Sequence, residues 1–176
     1  MMTKRLEKIA EGTMPRVNAI WHHPLYQENY KRIQEIEKDR VFCCHGMIHL
    51  LDVARLAYIR NLEQGLGYKK ELLYAAAILH DIGKAYQYEE KIPHEIAGEE
   101  IAAKILKTLP EDVAFSEEEC KLILQAVRGH RRKREYMEQI EELFYDCDKR
   151  SRNCFACPAE KECNWSEEEK NWEIKI

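Results

Sequence analysis

Apolar residues recur at intervals of three and four along almost the whole chain, which is the period of amphipathic helices. The pattern predicts an all-α fold. Between Cys43 and Asn61, the set Met47, Leu51, Ala54 and Tyr58 forms one apolar stripe, and Gly65 and Gly67 separate this helix from the next. The following stretch, Glu71 to His80, is apolar nearly all round and predicts a central buried helix. Pro93 opens a helix that runs to Leu109 and stops at Pro110, with Ile101, Ile105 and Leu109 facing inward. Ser116 and Glu119 form a capping-box pattern ahead of a helix carrying Leu122, Ile123, Ala126, Val127 and finally His130 on its inner side. A last helix, Glu135 to Lys149, places Ile140, Leu143, Phe144 and Cys147 on one face, with Asp148 beside them. The sum is a bundle of six to seven helices.

Composition narrows this picture without changing it. A chain of 176 residues, 45% hydrophobic and 34% charged, with only 7 Gly and 5 Pro, is long enough for one core and too apolar for disorder. No repeat, low-complexity tract or Gly/Ser linker divides it, so we expect a single domain over residues 1–150. The remaining 151–176 form a tail whose apolar content, chiefly Phe155, Trp165 and Trp172, cannot build a core of its own. The tail must be stapled or it is loose. A formal charge of -4 gives no global reason to bind a polyanion, so no nucleic-acid partner is expected. Met1 to Ala10 alternates charged and apolar residues and lacks the apolar run of a signal peptide. The longest apolar run, Leu72 to Leu79, is far too short to span a bilayer. The expectation is a soluble cytoplasmic protein with no membrane partner; its oligomeric state is left open.

The candidate chemistry centres on Ile78-Leu79-His80-Asp81-Ile82-Gly83-Lys84, where an apolar helix ends in adjacent His and Asp. Neighbouring residues diverge by about 100° on a helix, so both side chains reach one ion only near a helix end. An imidazole and a carboxylate are good ligands for zinc, iron or manganese, and an unpaired buried Asp is otherwise costly. Further inward-tending ligands are His49, His94, His130 and Asp148, while His22 and His23 precede Pro24 in a region with no other ligands. His45 precedes His49 by one helical turn, and Asp52 reads as an ordinary surface or supporting carboxylate. Arg131 to Arg134 reads as a solvated basic loop, and it is the one run that might otherwise face a polyphosphate.

Seven cysteines are an odd number for a disulfide framework, and Cys154, Cys157 and Cys163 fall in a Cys-x2-Cys-x5-Cys spacing. The first pair can clasp one metal from a turn. A fourth ligand is needed: Cys147 is near in sequence, and Cys43 or Cys44 closes the set if the tail folds across the domain. Zinc would make the tail a structural knuckle, whereas an iron-sulfur cluster would make it a candidate sensor. Cys120 reads as an ordinary helix thiol.

These motifs resemble the HD superfamily of metal-dependent phosphohydrolases, whose pattern is a His, then His-Asp, then a distal Asp. His49 in His-Leu-Leu-Asp-Val-Ala-Arg, the doublet His80-Asp81, and Asp148 in Cys-Asp-Lys-Arg-Ser-Arg match it, with Asp146 the near rival for the last place. The resemblance covers residues 42–152 and implies an HD-type helical domain. His94 and His130 match the two added histidines of the binuclear members, which implies two divalent metals with Asp81 bridging them. Those members include dinucleoside-tetraphosphate hydrolases and cyclic-dinucleotide phosphodiesterases, although the Gly-Tyr-Pro signature of the latter is absent here. Di-iron HD oxygenases share the same ligand order.

A closer likeness is to small bacterial HD proteins with an Asn-Ala-Ile…His-Pro-Leu-Tyr segment and a Cys-rich tail, carried here by Asn18 to Tyr26, Phe42-Cys43, His45 and Cys154 to Trp165. That likeness favours Cys43 as the fourth thiol. The implied activity is hydrolysis of phosphate esters or anhydrides of a small nucleotide-like substrate. Asp81 and Lys84 would be catalytic, and His45, Lys149 and Arg152 would support the metal or contact phosphate. The rivals are a di-iron oxidase on the same scaffold and a non-enzymatic metal or iron-sulfur sensor.

Overall fold

In the computed structural model, which describes residues 12–175, the helix Lys70–Leu79 is the centre about which the others pack. The segment 1–11, including the charge pattern of Met1 to Ala10, lies outside the described residues. In chain order the α-helices are α1 (Pro15–His22), α2 (Pro24–Ile36), α3 (Met47–Gln64), α4 (Lys70–Leu79), α5 (Lys84–Glu89), α6 (His94–Lys107), α7 (Glu117–Gly129) and α8 (Gln139–Arg150). Single 3-10 turns follow at Glu111–Val113, Cys154–Ala156 and Glu160–Glu162, and there is no strand among the described residues. The protein is an all-α helical bundle. Among the described residues, Pro24 restarts the N-terminal helix and a short α5 fills the connection after the His-Asp doublet.

The apolar stretch of α4 is buried on every side, with Leu72, Leu73, Ala75, Ala76, Ala77, Ile78 and Leu79 at 3% exposure or less. Its alanines let α1, α3 and α7 approach closely. The α3–α4 hairpin is closed by Gly65, whose φ of 63° is the left-handed conformation that ends many helices. Asn61 completes the turn, accepting from the Tyr68 N–H at 2.9 Å and donating to the Tyr68 carbonyl at 3.0 Å.

Two expectations shift in phase. The buried face of α3 runs through His49, Leu50, Val53, Ala54, Ala57 and Asn61, so Met47, Leu51 and Tyr58 are only half-buried. The helix is apolar over so much of its circumference that hydropathy alone does not choose the inner face. The last helix starts at Gln139 rather than Glu135, because Glu138 caps it and exchanges backbone and side-chain bonds with Glu141.

The predicted box at Ser116 and Glu119 forms, and it does more than cap α7. Glu119 also receives the guanidinium of Arg16 from α1 and, at 3.0 Å, the ammonium of Lys69 from the start of α4. Arg16 in turn lies over the Phe115 ring at 3.7 Å. One carboxylate thus ties three helix starts together.

Gly83 is required by space rather than by conformation. A Cβ there would lie 2.3 Å from the His94 carbonyl oxygen and 2.4 Å from the Gly98 nitrogen. The turn after the His-Asp doublet is therefore pressed directly onto the first turns of α6. Tyr26 braces α4 from the other side, its hydroxyl donating to the Ile78 carbonyl at 3.0 Å.

We expect Gly83→Ala to cost about 1–3 kcal/mol by urea denaturation, since backbone must move to admit the methyl. The Arg16 bond, against the opposing effect of burial, brings the Glu119 carboxyl down to about 2 from 4.5. A carboxyl lowered on folding stabilises above its unfolded value and loses that contribution as the pH falls through its folded one. The stability gap between the natural chain and Glu119→Gln should stay constant near neutrality and close between pH 4.5 and about 2, read from urea midpoints across that range.

Candidate metal centre

Six side chains drawn from helix ends meet in the interior. His49 lies in the first turn of α3, His80 caps the end of α4, and Asp81 follows it. His94 begins α6, His130 caps the end of α7, and Asp148 stands in the last turn of α8. All six are buried, His80 and His130 almost completely. Near a helix end the chain turns enough for His80 and Asp81 to face one point, with His80 Nε2 lying 2.9 Å from Asp81 Oδ2.

The two oxygens of Asp81 face different partners. Oδ2 lies 3.3 Å from His49 Nε2, which is itself 3.3 Å from Asp148 Oδ1. Oδ1 lies 3.3 Å from His94 Nε2 and 3.6 Å from His130 Nε2. His49, His80, Asp81 and Asp148 make one group with ligand atoms close enough for a metal ion, and Asp81, His94 and His130 make a second. Asp81 belongs to both. His80 Nε2 and Asp81 Oδ2 are buried without a hydrogen-bond partner, an expense that a cation between them removes. The donor set, imidazole nitrogens and carboxylate oxygens, fits divalent transition metals.

The outer ring nitrogens fix the orientation of the four imidazoles. His80 Nδ1 lies 2.6 Å from the Ala77 carbonyl and His130 Nδ1 lies 2.8 Å from the Val127 carbonyl; carbonyls only accept, so both nitrogens carry hydrogen. His94 Nδ1 meets the Gln87 side-chain oxygen from α5. The Ser151 hydroxyl donates to the Asp148 carbonyl at 2.7 Å, which leaves its oxygen to accept from His49 Nδ1 at 3.0 Å. Each imidazole therefore presents Nε2 to the centre, as ligand histidines do when a second partner holds Nδ1.

Charge follows this geometry. Burial alone would raise the Asp81 and Asp148 carboxyls, but the surrounding imidazoles outweigh it and hold both well below the usual range. Burial opposes charging His80, yet the same two carboxylates lift it to about 10. Burial takes His94 down to about 2 despite the pull of Asp81, so its imidazole is neutral.

The supporting residues fall less uniformly. Lys84 opens α5 and lines the cavity above the centre, where burial lowers its ammonium in spite of Asp81 and Asp148. Lys149 pairs with Asp148 Oδ2 at 2.9 Å. Arg152 donates to His49 Nε2 at 3.0 Å and to the Cys44 carbonyl at 2.9 Å, so it touches a ligand directly. His45 stands in the loop before α3, its ring perpendicular to that of His49 at 5.9 Å. Asp146 turns away to Arg60 at 3.1 Å, and Asp52 pairs with Arg55 at 3.2 Å. Within the basic run, Arg131 reaches the cavity while bonding Glu95 at 2.8 Å, and Arg134 pairs with Glu141. His23 instead caps α2 by accepting from the Leu25 N–H at 3.2 Å.

Sequence reasoning missed Glu37, Gln87 and Ser151. Glu37, 5% exposed at the end of α2, binds the His45 ring and accepts from the His45 N–H at 2.7 Å and the Tyr88 hydroxyl at 2.6 Å. A Glu ending a charged helix reads as solvated, and nothing in its local pattern signals this burial.

His49, Asp81, His94, His130 and Asp148 form the floor of a cavity of about 920 Å³, with His80 sealed beneath them. Its walls are the loop before α3, Lys84, Arg131 and the tail, with Arg40, Lys149 and Arg152 supplying further positive charge.

A helical bundle with a buried His/Asp cluster that suits metal ions defines the class to which this chain belongs. It is a member of the HD domain family, a family of metal-dependent hydrolases, whose profile matches residues 46–153. The chain is similar to an uncharacterized protein of Clostridium beijerinckii, with 46% identity over 161 residues that cover 92% of this chain and 99% of the relative. It is also similar to ribonuclease Y of Clostridium novyi, with 30% identity over 122 residues, 69% of this chain. Ribonuclease Y of Clostridium tetani is 28% identical over the same length. The match spans only 21% and 20% of those two relatives. No solved structure matches the chain. No helix among the described residues is long and apolar enough to cross a membrane.

The division of ligands makes a stoichiometric prediction. Asp81→Ala should strip both metal positions, whereas His130→Ala should leave about one ion per chain, because only the second group loses a ligand. Elemental analysis of the folded variants, checked by circular dichroism, separates the two.

Proposed function

We propose that this protein hydrolyses phosphate esters or anhydrides of a small nucleotide-like substrate, using two divalent cations held by the His/Asp cluster. The observation that carries the reading is Asp81, whose two oxygens face separate ligand groups beneath a cavity walled by cations. A cavity of about 920 Å³ suits a ligand of nucleotide size. Iron, manganese or zinc would fill the positions, and when bound they would supply Lewis acidity and lower the pKa of an attacking water.

The chain's own residues divide the remaining work. Lys84 and Arg131 stand where they can neutralise phosphoryl oxygens, and Lys84 lies within reach of Asp81 in the partly desolvated wall. Glu37 takes the Nδ1 hydrogen of His45, whose imidazole burial keeps neutral, which leaves the other ring nitrogen of this cavity-lining residue suited to accepting a proton from an attacking water. Tyr88 holds Glu37 from behind, so the imidazole cannot swing away. The cations Lys84, Arg131 and Arg152 in the lining favour an anionic, phosphorylated substrate. The likeness to ribonuclease Y supports phosphodiester chemistry on this kind of domain, while the net charge of -4 supports a small substrate over a long nucleic acid.

The test is phosphate or nucleotide release from a panel of dinucleoside polyphosphates, nucleotides and an aryl phosphodiester, using protein loaded with iron or manganese. We expect turnover by the natural chain and a fall of about 10²-fold or more in Asp81→Ala and Lys84→Ala. Fully loaded protein that cleaves none of these, or that consumes oxygen instead, would overturn the reading. Glu37→Gln should lower kcat about 10–100-fold with metal content unchanged, and should alter the pH profile of kcat, since Glu37 acts through His45.

A further inference from the structure

The tail beyond α8 follows a defined path with almost no core to hold it. Of its described residues only Cys154 and Ala159 are buried apolar side chains, at 8% and 7% exposure, while Phe155 and Trp172 are about half exposed at 44% and 45%. One polar clamp fixes its far end, where the Asn171 side chain donates to the Lys149 carbonyl at 2.6 Å and the Arg152 carbonyl at 2.9 Å. Between these points the chain makes two single 3-10 turns. Cys154 opens the first turn and Cys157 closes it, and Cys163 closes the second.

These three thiols border the space in front of the loop before α3, although no three of the four sulfurs, Cys43 included, yet lie within ligand distance of one another, so a metal would have to draw them together. They line the same cavity wall as Cys43, more than a hundred residues earlier in the chain. Burial raises the Cys43 thiol, Arg152 opposes this, and Cys154, Cys157 and Cys163 each raise it further by their charge, so the three lie within electrostatic range of it. All four are free cysteines. The other three are otherwise engaged. Cys44 Sγ points to the Phe42 carbonyl at 3.4 Å, Cys120 Sγ points to the Phe115 carbonyl at 3.7 Å, and Cys147 is sealed in the core beside Arg60, where burial lifts its thiol to about 11.

We propose that Cys43, Cys154, Cys157 and Cys163 form a second, all-thiolate metal centre that fastens the tail to the loop before α3. Four sulfur donors suit zinc in tetrahedral coordination or an iron-sulfur cluster, and not the harder cations. Each thiol gives up its proton to solvent on binding, and the Arg152 guanidinium beside Cys43 favours the thiolate. The centre supplies the cross-link that the tail's missing apolar surface does not. It also reaches the first centre through both neighbours of the thiols. Cys43 lies two residues before His45, and Cys154 lies two after Arg152, which touches His49. The proposal stands independently of the hydrolase reading.

The test uses full-length protein purified without oxygen and without added metal, analysed for zinc, iron and acid-labile sulfide. Asp81→Ala should lose the His/Asp metals and keep the thiolate centre. Cys157→Ser and Cys43→Ser should do the reverse, and their tails should become sensitive to limited proteolysis. About one zinc per chain left in Asp81→Ala identifies a structural zinc site, and iron with matching sulfide identifies a cluster. In the natural chain, removal of the metal should release four further thiols to a thiol reagent while Cys147 stays sealed in the core; this readout serves even where a Ser variant fails to fold. Unchanged metal content in folded Cys43→Ser, or free reaction of Cys43, Cys154, Cys157 and Cys163 in the metal-loaded natural chain, would overturn the proposal.

Discussion

A carboxylate buried at the end of the central helix is the constraint around which the rest of this molecule is arranged. Asp81 is 4% exposed, and an isolated charge there would be prohibitively costly. The fold answers by converging four imidazoles on it, two toward each oxygen or its neighbour, and by placing Asp148 opposite. Every ligand comes from the end or first turn of a helix. Side chains there escape the regular radial spacing of a helix interior, so five separate helices can aim at one small volume.

Rigidity is distributed unevenly as a result. Part of the floor is pinned by backbone: Gly83 against His94 and Gly98, the Ala77 and Val127 carbonyls against the His80 and His130 rings, and the Ile78 carbonyl against Tyr26. The walls are held by side chains, through Glu37 to His45, Ser151 and Arg152 to His49, and Asn171 to the end of α8.

Much of this was legible in the sequence. The alanine-rich stretch before His80 could be nothing but a buried helix, and the His-Asp doublet at its end had few uses besides a metal. What failed to show was phase and long-range pairing. Helix α3 carries apolar residues on most of its circumference, including Ile48 at 81% exposure and Leu62 at 61%, so its inner face is chosen by packing partners rather than by hydropathy. Glu37, Gln87 and Ser151 are polar residues in polar surroundings along the chain, and only the tertiary fold brings them against histidines. The same holds for Glu119, legible as a cap but not as the meeting point of Arg16 and Lys69.

The contact between Arg152 and His49 bears on the order in which the protein matures. Asp81 and Asp148 have counter-charges supplied by the chain itself, in the raised imidazole of His80 and in Lys149 and Arg152. The polypeptide can therefore close around its acidic pair before any ion arrives, unlike small domains that stay unfolded until metallated. Loading then becomes an exchange in which a proton and a guanidinium are displaced. A cation that loads would have to outcompete both, which would make its affinity fall as the pH falls.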